Sequence, residues 1–182
     1  MTDAGDSTPS AAADESAVEA EPPDRLQLDM VVEAGDWSDF GGLPALVAAT
    51  ADAIVAHPDC ADLRGCEAAV ALADDQRLRH LNRTYRGKDS ATNVLSFPFR
   101  PPPGAAPGFY LGDIVLAAET VRAEAIERGI APASHLQHLI VHGVLHLIGH
   151  DHEDDADAAE MERIETEVLA TLGIADPHRP LS

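Results

Sequence analysis

Residues 142–152 read HGVLHLIGHDH, and this segment decides how the C-terminal half of the chain is organised. His142 and His146 are four residues apart, so a helix directs both imidazoles from the same face. Gly149 can end that helix in a left-handed turn, after which the chain folds back and brings His152 to the pair. The spacing H-x-x-x-H-x-x-G-x-x-H therefore predicts a metal site at the end of a helix in the C-terminal half.

The histidines around this segment indicate which metal the site takes. Three neutral imidazoles with an open fourth position suit Zn²⁺ best, although nickel or copper would also fit. We expect one zinc ion per chain. His138 would be a ligand only in a site one turn lower, so a supporting or core role is favoured for it. His135 is expected on the surface, and His150 beside the site or in solvent.

The rest of the chain predicts an α+β (mixed α/β) domain, with a small mixed four-stranded sheet packed with about five helices. Short apolar or alternating segments predict strands at 25–32, 66–73, 93–97 and 111–116. Helical spacing predicts helices from Leu43 to just before Pro58, from Asp74 or Asp75 to about Tyr85, and at about 118–128, 134–149 and 154–172.

The sequence predicts three segments, of which the first is distinguished by its charge. Residues 1–24 contain seven acidic side chains and no basic one, and this composition predicts a disordered tail. We expect one domain at 25–175 and a short C-terminal tail at 176–182. The whole chain carries a net charge of −20; 25 acidic and 12 basic side chains remain without the first segment, a net charge of −13. Such a chain repels phosphate backbones at long range.

The apolar runs and the two cysteines indicate the cellular compartment to expect. No apolar run approaches the ~20 residues of a membrane span, and no secretory signal is visible. Cys60 and Cys66 are therefore expected to be free thiols of a cytoplasmic protein with no membrane partner.

The histidine spacing also matches that of metzincin proteases, with one difference. Those enzymes carry a glutamate general base directly after the first histidine, and Gly143 stands at this position here. A metal-dependent peptidase without the usual proton acceptor is therefore an alternative interpretation.

Three segments together resemble one known family. HGVLHLIGHDH at 142–152, LNRTYRGKDSATNVLSFPF at 81–99 and LGDIVLAAE at 111–119 closely resemble the YbeY family of bacterial single-strand endoribonucleases, the rRNA maturation factors. The resemblance covers about residues 25–175. It differs from the family pattern at His150, where tyrosine is typical, and in the acidic N-terminal segment.

The resemblance implies a function and a set of site residues. It implies a zinc-dependent endoribonuclease that matures the 3′ end of small-subunit rRNA and takes part in ribosome quality control, with the ribosome or small-subunit assembly factors as partners and no DNA substrate. His142, His146 and His152 would bind the zinc ion and take part in catalysis, and Arg86 would be functionally important.

A local basic cluster partly offsets the acidic charge of the domain. Residues 83–88 contain three of the twelve basic side chains. Arg86 can hold a phosphate, and Arg83, Tyr85 and Lys88 are candidate RNA contacts. In the alternative interpretation, Arg83 and Lys88 are ordinary solvated charges and Tyr85 is a core residue.

The residues alone leave part of the mechanism open. A zinc ion held by three histidines can lower the pKa of its water to about 7 or act as a Lewis acid on phosphate. Whether water or the 2′-hydroxyl attacks, and which group is the general acid, is not decided by the sequence. A third interpretation is a ribosome-assembly factor whose zinc is structural.

Deletion of residues 1–24 should leave the melting temperature unchanged, because the segment has no apolar face to bury. Cleavage of RNA should be equal or somewhat faster, since repulsion of phosphate is reduced. Thermal melting and a cleavage assay on both proteins check this. A loss of several degrees would show that the segment is docked on the domain.

Overall fold

The computed structural model describes residues 24–104, 108–150 and 155–179. Four strands form one sheet: β1 (Gln27–Val32), β2 (Glu67–Ala73), β3 (Val94–Pro98) and β4 (Tyr110–Ala117). Five α-helices surround it: α1 (Leu43–Ala56), α2 (Asp75–Arg86), α3 (Ala118–Arg128), α4 (Pro132–Leu147) and α5 (Asp155–Thr171). Two 3₁₀ helices, Ser38–Phe40 and Pro58–Leu63, flank α1.

The sheet is mixed, in the order β1-β2-β4-β3. β1 and β4 both run parallel to β2, with Met30 opposite Val70 and Val70 opposite Ile114. β3 pairs antiparallel with β4, and Leu95 lies opposite Val115. The central strands β2 and β4 are almost wholly buried, which explains their continuous apolar sequences.

Alternate residues of the central strands pack against two different layers. Val70, Leu72, Ile114 and Leu116 belong to the main core, which also contains buried residues of α1, α3, α4 and α5. Their neighbours, including Ala71 and Val115, pack on the opposite side with residues from α2 and β3. This alternation is what a strand between two layers requires.

Helix α4 is the most buried of the five α-helices. Nine of its sixteen residues are buried, so nearly its whole circumference contacts other elements. Gly143 faces β4, and a Cβ atom there would lie 2.9 Å from Ile114 Cδ1 and Cγ2. The close approach of α4 to the sheet therefore requires glycine at this position.

The C-terminus of α4 turns at Gly149, as the sequence predicts. Gly149 has φ of +100°, which favours glycine, and its N–H donates to the His146 carbonyl at 3.1 Å. The His150 N–H donates to the Leu145 carbonyl at 3.0 Å. These bonds use carbonyls that the helix end leaves without partners. His152, the predicted third ligand, lies outside the described residues.

The predicted fold class is confirmed, with each predicted strand and helix within about two residues of its position. Asp74 is the residue that caps α2, because its side chain accepts from the Arg77 N–H at 2.8 Å. The two 3₁₀ helices were not predicted.

The N-terminal segment, apart from Asp24, lies outside the described residues. Within the described part of the chain, no helix combines the length and apolar character needed to cross a membrane.

Gly143→Ala should destabilise the protein because the new methyl group must displace Ile114. Overpacking of this kind costs about 1–3 kcal/mol, and the better helix propensity of alanine returns about 1 kcal/mol at most. Urea unfolding measures the change. The double variant with Ile114→Ala should show a favourable coupling between the two sites. Purely additive effects would contradict the close contact.

Candidate metal centre and groove

His142 and His146 converge on a common point, as their spacing on α4 predicts. Their Nε2 atoms are 3.0 Å apart, and the ring centroids are 4.5 Å apart. Two nitrogen atoms of a tetrahedral zinc site lie about 3.3 Å apart, given Zn–N bonds of about 2.0–2.1 Å. The pair can therefore hold one cation with little movement.

The carboxylate of Glu165 on α5 fixes the orientation of His142. Its Oε1 accepts a hydrogen bond from His142 Nδ1 at 2.7 Å. The proton on Nδ1 leaves a lone pair on Nε2, the atom that faces His146. Metal-binding histidines commonly have such a carboxylate partner. The donor set therefore fits a divalent transition metal such as zinc.

The Glu165 side chain is only 1% exposed. Burial raises the pKa of the carboxyl, but hydrogen bonds from His138 and His142 outweigh it and hold the pKa well below its ordinary value. Its second oxygen, Oε2, contacts Nε2 of His138 at 3.2 Å and Nε2 of His178 at 2.6 Å. One buried carboxylate therefore serves three imidazoles.

His138 has the supporting position that the sequence favours. Burial lowers the pKa of this imidazole, and the hydrogen bond to Glu165 opposes that effect only in part. The side chain is 11% exposed. A neutral His138 is therefore favoured inside the protein, and it helps to hold the carboxylate that orients His142.

The prediction that His135 lies on the surface is wrong. Only 2% of the His135 surface is exposed, and its Nε2 lies 2.7 Å from Oε2 of Glu124 on α3. Asn93 donates to the same carboxylate at 2.9 Å. A distant acid on another helix makes this burial possible, and the local sequence does not reveal it.

A groove of about 630 Å³ opens beside the two converging imidazoles. Arg86, at the end of α2, lines it with His142 and His146, so three predicted site residues share one cavity. Arg100, just after β3, lines it as well. Further lining residues are Thr92, Asn93, Val94, Ser96, Pro98, Gly149 and His150. The groove therefore combines candidate metal ligands with two guanidinium groups.

Strand β3 holds one wall of this groove against α4. The Ser96 hydroxyl donates to the Gly143 carbonyl at 3.3 Å. The Asn93 side chain accepts from the Val94 N–H at 2.7 Å, in addition to its bond to Glu124. These hydrogen bonds hold Asn93 and Ser96 in place at the groove wall.

The other three predicted RNA contacts lie outside the groove lining. Arg83 and Lys88 are exposed. Tyr85 is 67% exposed, so the interpretation of Tyr85 as a core residue is wrong. Its ring contacts Phe97 edge to face, with centroids 5.2 Å apart. Tyr85 thus presents an accessible ring near the carboxyl end of α2.

Comparisons with known proteins agree with these observations. The sequence profile of the family described as Endoribonuclease YbeY matches residues 45–173. The Endoribonuclease YbeY of Azorhizobium caulinodans is 45% identical over 153 residues, which span 84% of this chain and 96% of that protein. The chain belongs to the YbeY family. The Endoribonuclease YbeY of Parvibaculum lavamentivorans is 44% identical over 163 residues, spanning 84% of this chain and 85% of that protein.

A solved structure supports the fold of this YbeY family member. The solution structure of TM1509 from Thermotoga maritima matches with a TM-score of 0.50 and 22% identity, and the match covers 85% of this chain and 99% of that one. At this identity the likeness concerns the fold alone.

Glu165, His178 and Arg100 were not predicted from the sequence. Glu165 had a usable signal, because it lies on the apolar stripe of α5 among Met161, Ile164, Val168 and Leu169. An acid at such a position must have a buried partner. His178 and Arg100 follow the last helix and a strand, where no spacing links them to the histidines of α4.

Glu165→Gln should weaken zinc binding at His142 and His146 by about 10-fold or more. This is the effect typical of losing a carboxylate that is hydrogen-bonded to a ligating histidine. Competition with a chelating dye measures the affinity. Glu160→Gln, an exposed change on the same helix, is the control and should leave it unchanged. Equal affinities in the two variants would show that Glu165 does not orient a ligand.

Proposed function

We propose that this chain is a metal-dependent endoribonuclease that hydrolyses phosphodiester bonds of single-stranded RNA in rRNA maturation. Its membership of the YbeY family, whose curated relatives are named endoribonucleases, is the observation that carries this proposal. The groove that joins two imidazoles to two arginines supports it chemically. Its volume suits a nucleotide or two of a single strand.

The metal of this centre is zinc in our proposal, one ion held by His142, His146 and His152. The separation of 3.0 Å between the Nε2 atoms of the first two supports this assignment. When bound, the ion supplies a Lewis acid beside the scissile phosphate. Glu165 keeps the His142 ring in the tautomer and direction that the ion requires.

Arg86 and Arg100 bind the RNA backbone in this proposal. Guanidinium groups pair with phosphate oxygens through two parallel hydrogen bonds, and they stabilise negative charge that develops during the reaction. Arg86 is the group assigned to this second role. On a chain with net charge −20, phosphate is repelled from most of the surface, so these arginines mark where RNA is held.

The peptidase interpretation is not favoured. A zincin needs a glutamate base directly after its first histidine, and this position is Gly143. Because a Cβ atom there would already lie 2.9 Å from Ile114, a glutamate does not fit and would not face the groove. Binding to the ribosome or small-subunit assembly factors, and a cytoplasmic location, remain predictions.

Two substitutions separate the metal from the phosphate contact. His146→Ala should abolish RNA cleavage, because it removes a ligand and the ion of this centre is held far more weakly. Arg86→Ala should keep that ion and the melting temperature, and cleavage should fall about 100-fold or more. Metal analysis, thermal melting and cleavage of a labelled single-stranded RNA measure the three effects.

Exposed residues on α2 provide matched controls. Arg77→Ala and His80→Ala change an arginine and a histidine outside the groove, and both should cleave RNA at the wild-type rate. Normal cleavage by Arg86→Ala would exclude its active-site role. Normal cleavage by His146→Ala would leave the metal with a structural role only.

A further inference from the structure

A second group of metal-ligating side chains lies on the far side of Glu165. His138 on α4, Glu165 on α5 and His178 after α5 each offer one ligand atom, and the three atoms lie within 4.8 Å of one another. Nε2 of His138 and Nε2 of His178 lie 3.2 Å and 2.6 Å from Oε2 of Glu165. Ligand atoms of a tetrahedral zinc ion lie about 3.3 Å apart, so small side-chain movements would complete a site.

Contacts with neighbouring elements hold His178 in this position. Asp176 accepts from the His178 backbone N–H at 2.8 Å and from the Thr166 hydroxyl at 3.3 Å, which ties the turn to α5. Arg128, at the end of α3, donates to the Pro177 carbonyl. Oε1 of Glu162 lies 3.8 Å from His178 Nδ1, on the opposite side of the ring from Glu165. The imidazole is thus aimed inward by several contacts.

The surroundings of the three groups favour a cation. The Glu165 carboxylate is only 1% exposed, and the carboxylate of Glu162 is a second acidic group near the His178 ring. A cavity of about 320 Å³, lined by His138, His142, His178 and Glu124 among others, gives access from solvent. Two imidazoles and a carboxylate form a ligand set that zinc commonly takes, with the fourth position left for water.

We propose that His138, Glu165 and His178 bind a second divalent transition-metal ion, best Zn²⁺, separate from the ion at His142 and His146. Glu165 joins the two sites, since Oε1 accepts from the ligand His142 and Oε2 binds the second ion. The site requires no RNA and no catalysis, so it stands independently of the proposed function. It raises the expected zinc content from one ion per chain to two.

Metal stoichiometry tests the proposal on the full chain. Apo protein is loaded with excess zinc, freed of weakly bound metal by gel filtration, and analysed by mass spectrometry of the metal. Wild type and the surface control His80→Ala should hold two ions per chain. His178→Ala and His146→Ala should each hold one, and the double variant His146→Ala, His178→Ala should hold none.

Thermal melting with and without zinc provides the second measurement. Zinc should still raise the melting temperature of His146→Ala, because the second site remains, and it should not raise that of the double variant. His138→Gln in the His146→Ala background should behave like the double variant. One ion in wild type, or two in His178→Ala, would overturn the proposal and leave the three groups as a hydrogen-bonded network. Loss of RNA cleavage does not enter either measurement, so a failure of the proposed function would be seen separately.

Discussion

The candidate site depends on the hydrogen bond between His142 and the buried carboxylate of Glu165. This carboxylate lies on α5 and accepts from His142 on α4 at 2.7 Å, across 23 residues of sequence. Burying a charge is unfavourable unless it is paired, and here imidazoles supply the pairing. The same hydrogen bond joins α4 to α5 and selects the tautomer of the His142 ring, which faces the candidate metal site. One bond therefore contributes both to helix packing and to the orientation of a candidate ligand.

The close contact between α4 and the sheet determines what the groove contains. Gly143 allows the helix to lie against Ile114, and the neighbouring His142 lines the groove. The groove opens between α4 and β3, and Arg86 and Arg100 approach it from the ends of α2 and β3. Two positively charged side chains therefore lie beside the candidate metal ligands, on a chain whose net charge is −20.

The sequence predicted the local features well, because hydrophobic periodicity and glycine positions act over a few residues. The helix with His142 and His146, and its end near Gly149, are where the spacing placed them. Long-range pairing was not predictable in the same way. Buried His135 has Glu124 on α3 as its hydrogen-bond partner. His178 contacts Glu165 because the chain turns back after α5. Such partners depend on the packed structure.

The most direct test of this account is a crystal structure of the zinc-loaded protein, with anomalous scattering recorded at the zinc edge. We expect an anomalous peak about 2.0–2.1 Å from Nε2 of His142 and from Nε2 of His146, while His142 Nδ1 remains bonded to Glu165. A peak bound through His142 Nδ1, or zinc bound only away from these two histidines, would contradict it.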